Sequence, residues 1–268
     1  MTKTAYFLEV EPIQYEWDPP PLFPGSVPPI EVFHWHFNSL SDLVASFEYN
    51  AFFVDKTVEL CFIGLIAYFE AFCKDQFASI INICPSLLSQ LKQSGHDVSI
   101  DATHLVLFQQ DIDFALGSIL AEKYDFGSAK QINSYYQALL KITPFSKDEA
   151  QKYNMILNDR NLLVHHGGRH TVKYTEQSLR RKPIEQQAYR DKLEITEDEY
   201  FDAALLIVKI ATKIAQASQK ALVAFTSENA IKLTEDQNDA LQLINCPTKI
   251  VNVSIERPKK RKKRSGAK

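Results

Sequence analysis

The chain has 268 residues, of which 45% are hydrophobic and 24% charged, the composition of an ordinary globular protein. Its longest apolar run, residues 60–69, is about half of the ~20 residues that a membrane-spanning helix needs, and its first residues form neither a basic nor an apolar leader region, so we predict no membrane span and no secretory signal. The formal net charge of −3 combines a basic stretch at residues 257–268 with an acidic remainder that is not an obvious surface for RNA.

The first part of the chain is rich in proline. Seven of the 12 prolines lie within residues 1–29, which predicts an extended arm over residues 1–39, because proline is not tolerated inside a helix. The alternating segment VFHWHF, residues 32–37, predicts a short strand with His34 and His36 on one side. Two histidines are too few for a metal site, so we expect them at a surface or an edge.

Residues 40–245 have a helical pattern and predict one mainly α-helical bundle. The segment 57–83 is apolar on almost every side and stops before Pro85, as expected for a central helix. Capping boxes at SKDE, residues 146–149, and at TEDE, residues 196–199, predict two helix starts. Further helical segments are predicted at residues 40–56, 85–95, 111–124, 128–142 and, beginning at TEDQ, from 234.

The polar residues 169–195 predict a long, mobile connection between the two helices that follow the capping boxes. The four cysteines lie far apart without a CxxC spacing: Cys61, Cys73, Cys84 and Cys246. They predict reduced thiols in a cytoplasmic protein rather than disulfides or a zinc site.

The stretch NDRNLLVHHGGRH, residues 158–170, is the candidate functional motif. On a helix with about 100° per residue, an apolar stripe formed by Ala150, Tyr153, Leu157 and Val164 has Arg160 in its middle. A guanidinium in an apolar seam must reach water, meet a carboxylate or face a cleft that receives an anion.

Two more side chains lie beside Arg160 on the flank of that stripe, Asn161 and His165, whereas His166 projects to the opposite, exposed side. An imidazole transfers a proton near neutral pH, and an arginine fork holds a phosphate, so this group suits cleavage of RNA, whose 2′-hydroxyl is a built-in nucleophile. The alternative is an ordinary helix end, since histidine is favoured near a helix C-terminus and glycine is a common cap.

The tail, residues 257–268, contains eight of the 30 Lys and Arg residues and no acid, which leaves 22 basic and 33 acidic residues elsewhere, a formal charge of −11. A basic tail on an acidic body indicates contact with a polyanion, and a disordered solubilising end is the alternative. If the tail binds RNA, rather than DNA or a localisation receptor, we expect it to do so through Arg257, Lys259, Lys260, Arg261, Lys262, Lys263 and Arg264.

Two segments resemble the HEPN superfamily. RNLLVH, residues 160–165, is similar to its Arg-x4–6-His motif, and EAFCK, Glu70 to Lys74, is similar to its upstream signature of Glu, three residues, then Lys or Arg. The text around the second segment looks like RiboL-PSP-type and toxin-like HEPN domains, and the resemblance covers about residues 40–225.

The resemblance implies an all-α, HEPN-like helical bundle, here with an extended Pro-rich arm (1–39) before it and a disordered basic tail (246–268) after it. It implies a metal-independent endoribonuclease without cofactor that acts in a toxin–antitoxin, anti-phage or RNA-processing system. The implied partners are RNA, a second copy whose motif helix faces the first across a cleft, and an antitoxin or regulatory protein.

Carried over by position, His165 would transfer the proton, Arg160 would clamp the phosphate, and Asn161 would orient the phosphate or the imidazole. Glu70 and Lys74 would form a supporting i,i+4 pair that positions Arg160.

Two alternatives remain at this stage. Many HEPN-like domains lack activity and bind nucleotides, RNA or proteins, in which case the tail would supply the affinity. A metal cluster in HHGGRH, residues 165–170, is disfavoured because His165 and His166 diverge on a helix and no Cys or carboxylate pattern accompanies them.

Overall fold

The computed structural model describes residues 2–10, 22–46, 54–108, 111–179, 192–245 and 248–256. Within these ranges the chain is mostly helical, which confirms the all-α expectation at the level of fold class. The elements are β1 (Thr2–Val10), α1 (Pro29–Ser46), α2 (Val54–Ile83), α3 (Leu88–Gln93), α4 (Ala102–Leu107), α5 (Ile112–Ala121), α6 (Ala129–Leu140), α7 (Lys147–His166), α8 (Val172–Leu179), α9 (Glu197–Glu228), α10 (Glu235–Leu243) and β2 (Thr248–Glu256).

The central helix is α2, as the sequence predicts. It packs against α1, α5, α7, α9 and α10, and this enclosure explains why its sequence is apolar on almost every side. The backbones of α5 and α2 approach closely at Gly117 of α5, where an added Cβ would overlap the carbonyl oxygen of Ala78 on α2. The Asn82 side chain fixes this crossing, because its Oδ1 accepts from the Gly117 N–H at 2.7 Å and its Nδ2 donates to the Phe114 carbonyl at 2.7 Å.

The strand predicted at residues 32–37 is wrong, because these residues lie inside α1, which begins at Pro29. Proline is accepted at the first helical position, and the apolar residues farther along recur every three or four positions rather than every second one. These buried residues are Ile30, Phe33, Phe37 and Val44. His34 is buried rather than at a surface, and burial lowers its pKa to about 4, whereas His36 stacks on Tyr68 with ring centroids 3.7 Å apart.

The two strands pair antiparallel, with Thr2 opposite Glu256 and Val10 opposite Thr248. The edge of β1 opposite β2 contacts Asn38 of α1. The Asn38 side chain accepts from the Leu8 N–H and donates to the Leu8 carbonyl, both at 2.8 Å. Residues 248–256 were assigned to a disordered tail, and this part of the prediction is wrong because they form β2. The basic residues 257–268 lie outside the described residues.

The helix starts predicted from capping boxes are confirmed for α7 and α9, and α10 begins at the predicted TEDQ segment. The connection predicted at residues 169–195 contains α8, and residues 180–191 lie outside the described ranges. Three cysteines, Cys61, Cys73 and Cys84, are buried free thiols, whereas Cys246 is not among the described residues. Across these ranges, no helix combines the length and apolar composition that crossing a bilayer requires.

Candidate functional site

The candidate motif occupies the second half of α7. This helix starts at a complete capping box, in which the Ser146 hydroxyl accepts from the Glu149 N–H and the Glu149 carboxylate accepts from the Ser146 N–H. It stops at Gly167, whose φ of 58° is left-handed, and the Gly168 N–H donates to the Leu162 carbonyl at 3.1 Å. The two glycines therefore end the helix directly after His166.

Arg160 meets a carboxylate on the neighbouring helix. Its Nη2 lies 3.5 Å from Oε2 of Glu70 on α2, and its Nη1 donates to Oδ1 of Asn161 at 3.0 Å. The Arg160 and Glu70 side chains are 26% and 24% exposed, so the pair is half-buried yet open to solvent along one side. The sequence predicts that the guanidinium reaches water, meets a carboxylate or faces an anion-binding cleft, and the structure shows an ion pair with a carboxylate.

The pKa of Glu70 is raised from its usual value, because burial disfavours its charged form. The Arg160 guanidinium opposes this shift, and the nearby Asp125 carboxylate reinforces it. Asp125 is fixed in the loop between α5 and α6, where it accepts from the Gly127 N–H at 2.8 Å and from Nε2 of Gln131 at 3.0 Å. A second carboxylate, Asp125, therefore lies near the pair, and no sequence motif indicates it.

The supporting pair expected between Glu70 and Lys74 is not among the ion pairs of the described residues. The partner of Glu70 is Arg160, across the α2–α7 contact. Lys74 lies one turn farther along α2 beside Asp75; burial raises the pKa of Asp75 to about 6, and the Lys74 charge opposes that shift. Glu70 thus pairs with Arg160 and not with Lys74.

His165 lines an open pocket of about 690 Å³ at the C-terminal end of α7. Its lining residues are His165, His166, Gly167, Arg169, His170, Thr171 and Lys192. His166, which helical geometry assigned to the opposite side, therefore shares the pocket with His165, because side chains in the last turn project around the end of the helix.

The group predicted from the sequence is divided into two parts. Arg160 and Asn161 lie together against Glu70, whereas neither lines the pocket that contains His165. The predicted apolar stripe is also shorter than expected, since Tyr153 and Leu157 are buried but Val164 is 47% exposed. The predicted stripe ends near Arg160; in the last turn Leu162 and Leu163 are buried, whereas Val164, His165 and His166 are exposed.

The pocket wall opposite α7 comes from a segment far along the chain. The Leu193 N–H donates to the Gly168 carbonyl at 2.8 Å, and Arg169 and Lys192 form an antiparallel bridge. Gly168 has a φ of 80°, and a Cβ there would come within 3.0 Å of the Leu193 carbonyl oxygen. This close approach, which only glycine allows, places Lys192 at the pocket.

A third wall comes from the turn before α8. The His170 ring stacks on Tyr174 with centroids 5.0 Å apart, and the Tyr174 hydroxyl donates to Oδ1 of Asp159 on α7 at 2.8 Å. The Thr171 hydroxyl accepts from the Tyr174 N–H at 3.2 Å. The position of His170 is thus tied to α7 through Tyr174.

Among the described residues, the side chains lining the pocket include five basic residues and no acidic residue. The ammonium group of Lys56, at the start of α2, lies close enough to Lys192 to lower the Lys192 pKa, an effect that the Glu59 and Glu194 carboxylates oppose. Sequence reasoning missed Arg169, His170 and Lys192 as site residues. The first two were visible as basic residues after the glycines, whereas Lys192 carried no signal.

No family model, curated protein or solved structure matches the chain. Over the described ranges, no group of three or more His, Cys, Asp and Glu side chains is arranged to hold a metal ion. The interpretation of the site therefore depends on its own geometry and chemistry.

Proposed function

We propose that the protein is a metal-independent, HEPN-like endoribonuclease that cleaves single-stranded RNA by attack of the 2′-hydroxyl. The observation that carries this proposal is the composition of α7. Within six residues this helix carries an arginine fixed by a carboxylate from α2 and an exposed histidine in a pocket lined by basic side chains. These are the two functions that such a cleavage needs, a proton-transfer group and a fixed cation for the phosphate.

In the proposed reaction, the His165 imidazole accepts the proton of the ribose 2′-hydroxyl. The 2′-oxygen attacks the adjacent phosphorus, the bond from phosphorus to the 5′-oxygen breaks, and that oxygen takes a proton from water, while the His165 imidazolium returns its proton to solvent. The products are a 2′,3′-cyclic phosphate and a 5′-hydroxyl. Arg160, about 7.5 Å back along the helix axis, holds the phosphate and stabilises its added negative charge. Asn161 keeps the guanidinium in place through its 3.0 Å hydrogen bond.

The proposal includes a homodimer in which two α7 helices face each other across a cleft. The exposure of Val164 and His165 on the last turn of α7 supports it, because a facing copy would cover an apolar side chain and bring two histidines together. A toxin or anti-phage role, with an antitoxin or regulatory protein as a further partner, is part of the same proposal.

The test is cleavage of labelled single-stranded RNA in EDTA. Wild-type protein should cut the RNA and leave 2′,3′-cyclic phosphate ends, whereas His165→Ala and Arg160→Ala should cut it at least about 100-fold more slowly. His104→Ala, on α4, is the matched control and should retain activity. Varied RNAs left intact by the wild type, or cutting restored only by added metal, would contradict the mechanism.

A second candidate is a catalytically inactive module that binds RNA, nucleotides or a protein. It is favoured by the engagement of Arg160, whose Nη1 and Nη2 already contact Asn161 and Glu70. In this case deletion of residues 257–268 should abolish RNA retention, and His165→Ala should leave it unchanged.

A further inference from the structure

The pocket at the end of α7 is more basic than the proposed proton transfer requires. Besides His165, it is lined by His166, Arg169, His170 and Lys192, and none of its lining residues in the described ranges is a carboxylate. A second pocket in the described part of the chain, next to Lys123, does include an acidic side chain, Asp101. The described residues of the α7 pocket therefore present cationic groups to solvent.

Two of the basic side chains of the pocket, Lys192 and His170, have contacts that restrict their positions. The Lys192 side chain passes over Gly168, where a Cβ would lie 3.1 and 3.2 Å from two of its methylene carbons. The backbone hydrogen bond from Leu193 to Gly168 fixes the same segment, and the stacking on Tyr174 fixes His170. Held cations bind an anion with less loss of side-chain entropy than free surface lysines do.

The local charge balance favours an anion. The C-terminal end of α7 carries about half a negative charge from its aligned peptide dipoles, which opposes anion binding. Arg169 and Lys192 together supply two positive charges at neutral pH, which outweigh the helix end and the Glu194 carboxylate near Lys192 combined. Lys56 lies beside Lys192 and is paired with Glu59. Two ammonium groups at close range repel each other, and a bound anion relieves that repulsion.

We propose that this pocket is a phosphate-binding site in which Arg169 and Lys192, with His166 and His170, hold a phosphate group of the RNA next to the one that reacts at His165. The arginine fork makes paired hydrogen bonds to phosphate oxygens, and the lysine adds a point charge. The proposal rests on the proposed function for its choice of RNA. A terminal phosphate and an internal phosphodiester offer the same oxygens to these residues.

The test uses the full chain and a labelled 2′-O-methyl RNA, which has no free 2′-hydroxyl and cannot be cleaved. The double variant Arg169→Gln/Lys192→Gln should bind this RNA at least tenfold more weakly than the wild type in fluorescence anisotropy. The matched control is Lys220→Gln/Lys232→Gln, which removes the same charge from exposed positions in the second half of α9 and just after it, and should change binding less than threefold. Circular dichroism melting verifies that both variants fold.

Two further measurements identify the anion. Inorganic phosphate should shift the imidazole NMR signals of His165, His166 and His170 in the wild type and not in the double variant. RNA carrying a 5′-phosphate should bind more tightly than 5′-hydroxyl RNA if the pocket takes a terminal phosphate, and equally if it takes an internal one.

Equal loss of binding in the double variant and the charge-matched control, or no imidazole shift with phosphate, would overturn the proposal. Because the RNA cannot be cleaved, the outcome does not depend on catalysis. An inactive protein that still shows the pocket-specific binding would refute the proposed nuclease function and retain the phosphate site.

Discussion

The two ends of α7 differ in how their polar groups are used. At the N-terminal end, Glu149 is 8% exposed and completes the capping box. Its carboxylate accepts a hydrogen bond from Lys213 of α9 at 2.7 Å and forms an ion pair with Lys209 of α9 at 3.2 Å. At the C-terminal end, His165 and His166 are exposed in a pocket lined by basic residues. The charge at the N-terminal end of α7 is therefore paired within the fold, whereas the basic side chains at the C-terminal end face solvent.

The pKa values follow the same division. Burial alone would raise the pKa of Glu149, but the hydrogen bonds from Lys213, Ser146 and Lys209 hold it at about 2. In the pocket, the neighbouring Lys56 charge lowers the pKa of Lys192 instead of stabilising its charged form. Opposite charges at the first end stabilise the fold, whereas like charges at the second cost stability and suit a ligand.

The largest expected effect is at the exposed end. His165→Ala should lower RNA cleavage at least about 100-fold, because removal of a proton-transfer group has an effect of this size. Its melting temperature should stay within about 1 °C of the wild type, because an exposed side chain contributes little to folding. Thermal melting and initial cleavage rates measure both. A clear loss of stability in this variant would show that the C-terminal end of α7 also stabilises the fold.

The two glycines after α7 provide the next test. Both have a positive φ, but a Cβ at Gly167 meets nothing within 4 Å, whereas a Cβ at Gly168 meets the Leu193 carbonyl and the Lys192 side chain. Gly167→Ala should cost about 1 kcal/mol from backbone strain alone. Gly168→Ala should cost about 2 kcal/mol and also weaken RNA binding, because Lys192 must move. Denaturant unfolding and anisotropy measure the two quantities, and equal effects at both positions would show that the wall formed by Lys192 is not rigid.

Much of the fold was predictable because the signals were local. The capping boxes at Ser146 and Thr196 place the starts of α7 and α9 to the residue, and the apolar run of α2 predicts its central position. The strand predicted at 32–37 is wrong. The alternation of apolar residues and histidines in these six residues is typical of a strand, but the 3.6-residue period over the longer segment determines the helix α1. Pairing of β1 with β2 joins the two ends of the chain, a contact that no local pattern encodes.

The candidate site was predictable only in part. The position of Arg160 within an apolar stripe correctly indicated that it needs a partner, and Glu70 supplies it. A helical wheel placed His165 and His166 on different sides, but it does not apply where the helix ends and side chains spread around the last turn. Lys192 reaches the pocket only through the backbone contact at Gly168, so its role depends on tertiary structure.

The next prediction concerns Arg160, which lies between the two ends of α7 and pairs with Glu70. Glu70→Gln removes the charge that holds Arg160 and should lower cleavage about tenfold. The free energy of unfolding should change by less than about 1 kcal/mol, because the desolvation cost of a half-buried carboxylate offsets much of its attraction to Arg160. In a double-mutant cycle, Glu70→Gln should have no further effect on cleavage once Arg160→Ala is present. Additive losses would mean that Glu70 does not act through Arg160.

The smallest effect is expected at the N-terminal end of α7. Glu149→Gln keeps the cap, since Gln237 accepts from the Thr234 N–H at 3.0 Å in the same position of α10, but it removes the charge that pairs with Lys209 and Lys213. These lysine side chains are 65% and 40% exposed, so solvent screens the pairs, and we expect a loss of about 1 kcal/mol in unfolding free energy at pH 7. RNA cleavage should be unchanged.

The pH dependence of that loss has a definite sign. Because the folded pKa of Glu149 is about 2 and its usual value is 4.5, its charge contributes fully above about pH 4.5, and the contribution disappears as the pH falls towards 2. The unfolding free energies of the wild type and Glu149→Gln should therefore converge in acid, as measured by denaturant titration at several pH values. Glu199→Gln, the same change in the exposed capping box of α9, is the matched control and should cost under about 0.5 kcal/mol. A difference between wild type and Glu149→Gln that stays constant down to pH 2 would mean that packing, not charge pairing, stabilises the N-terminal end of α7.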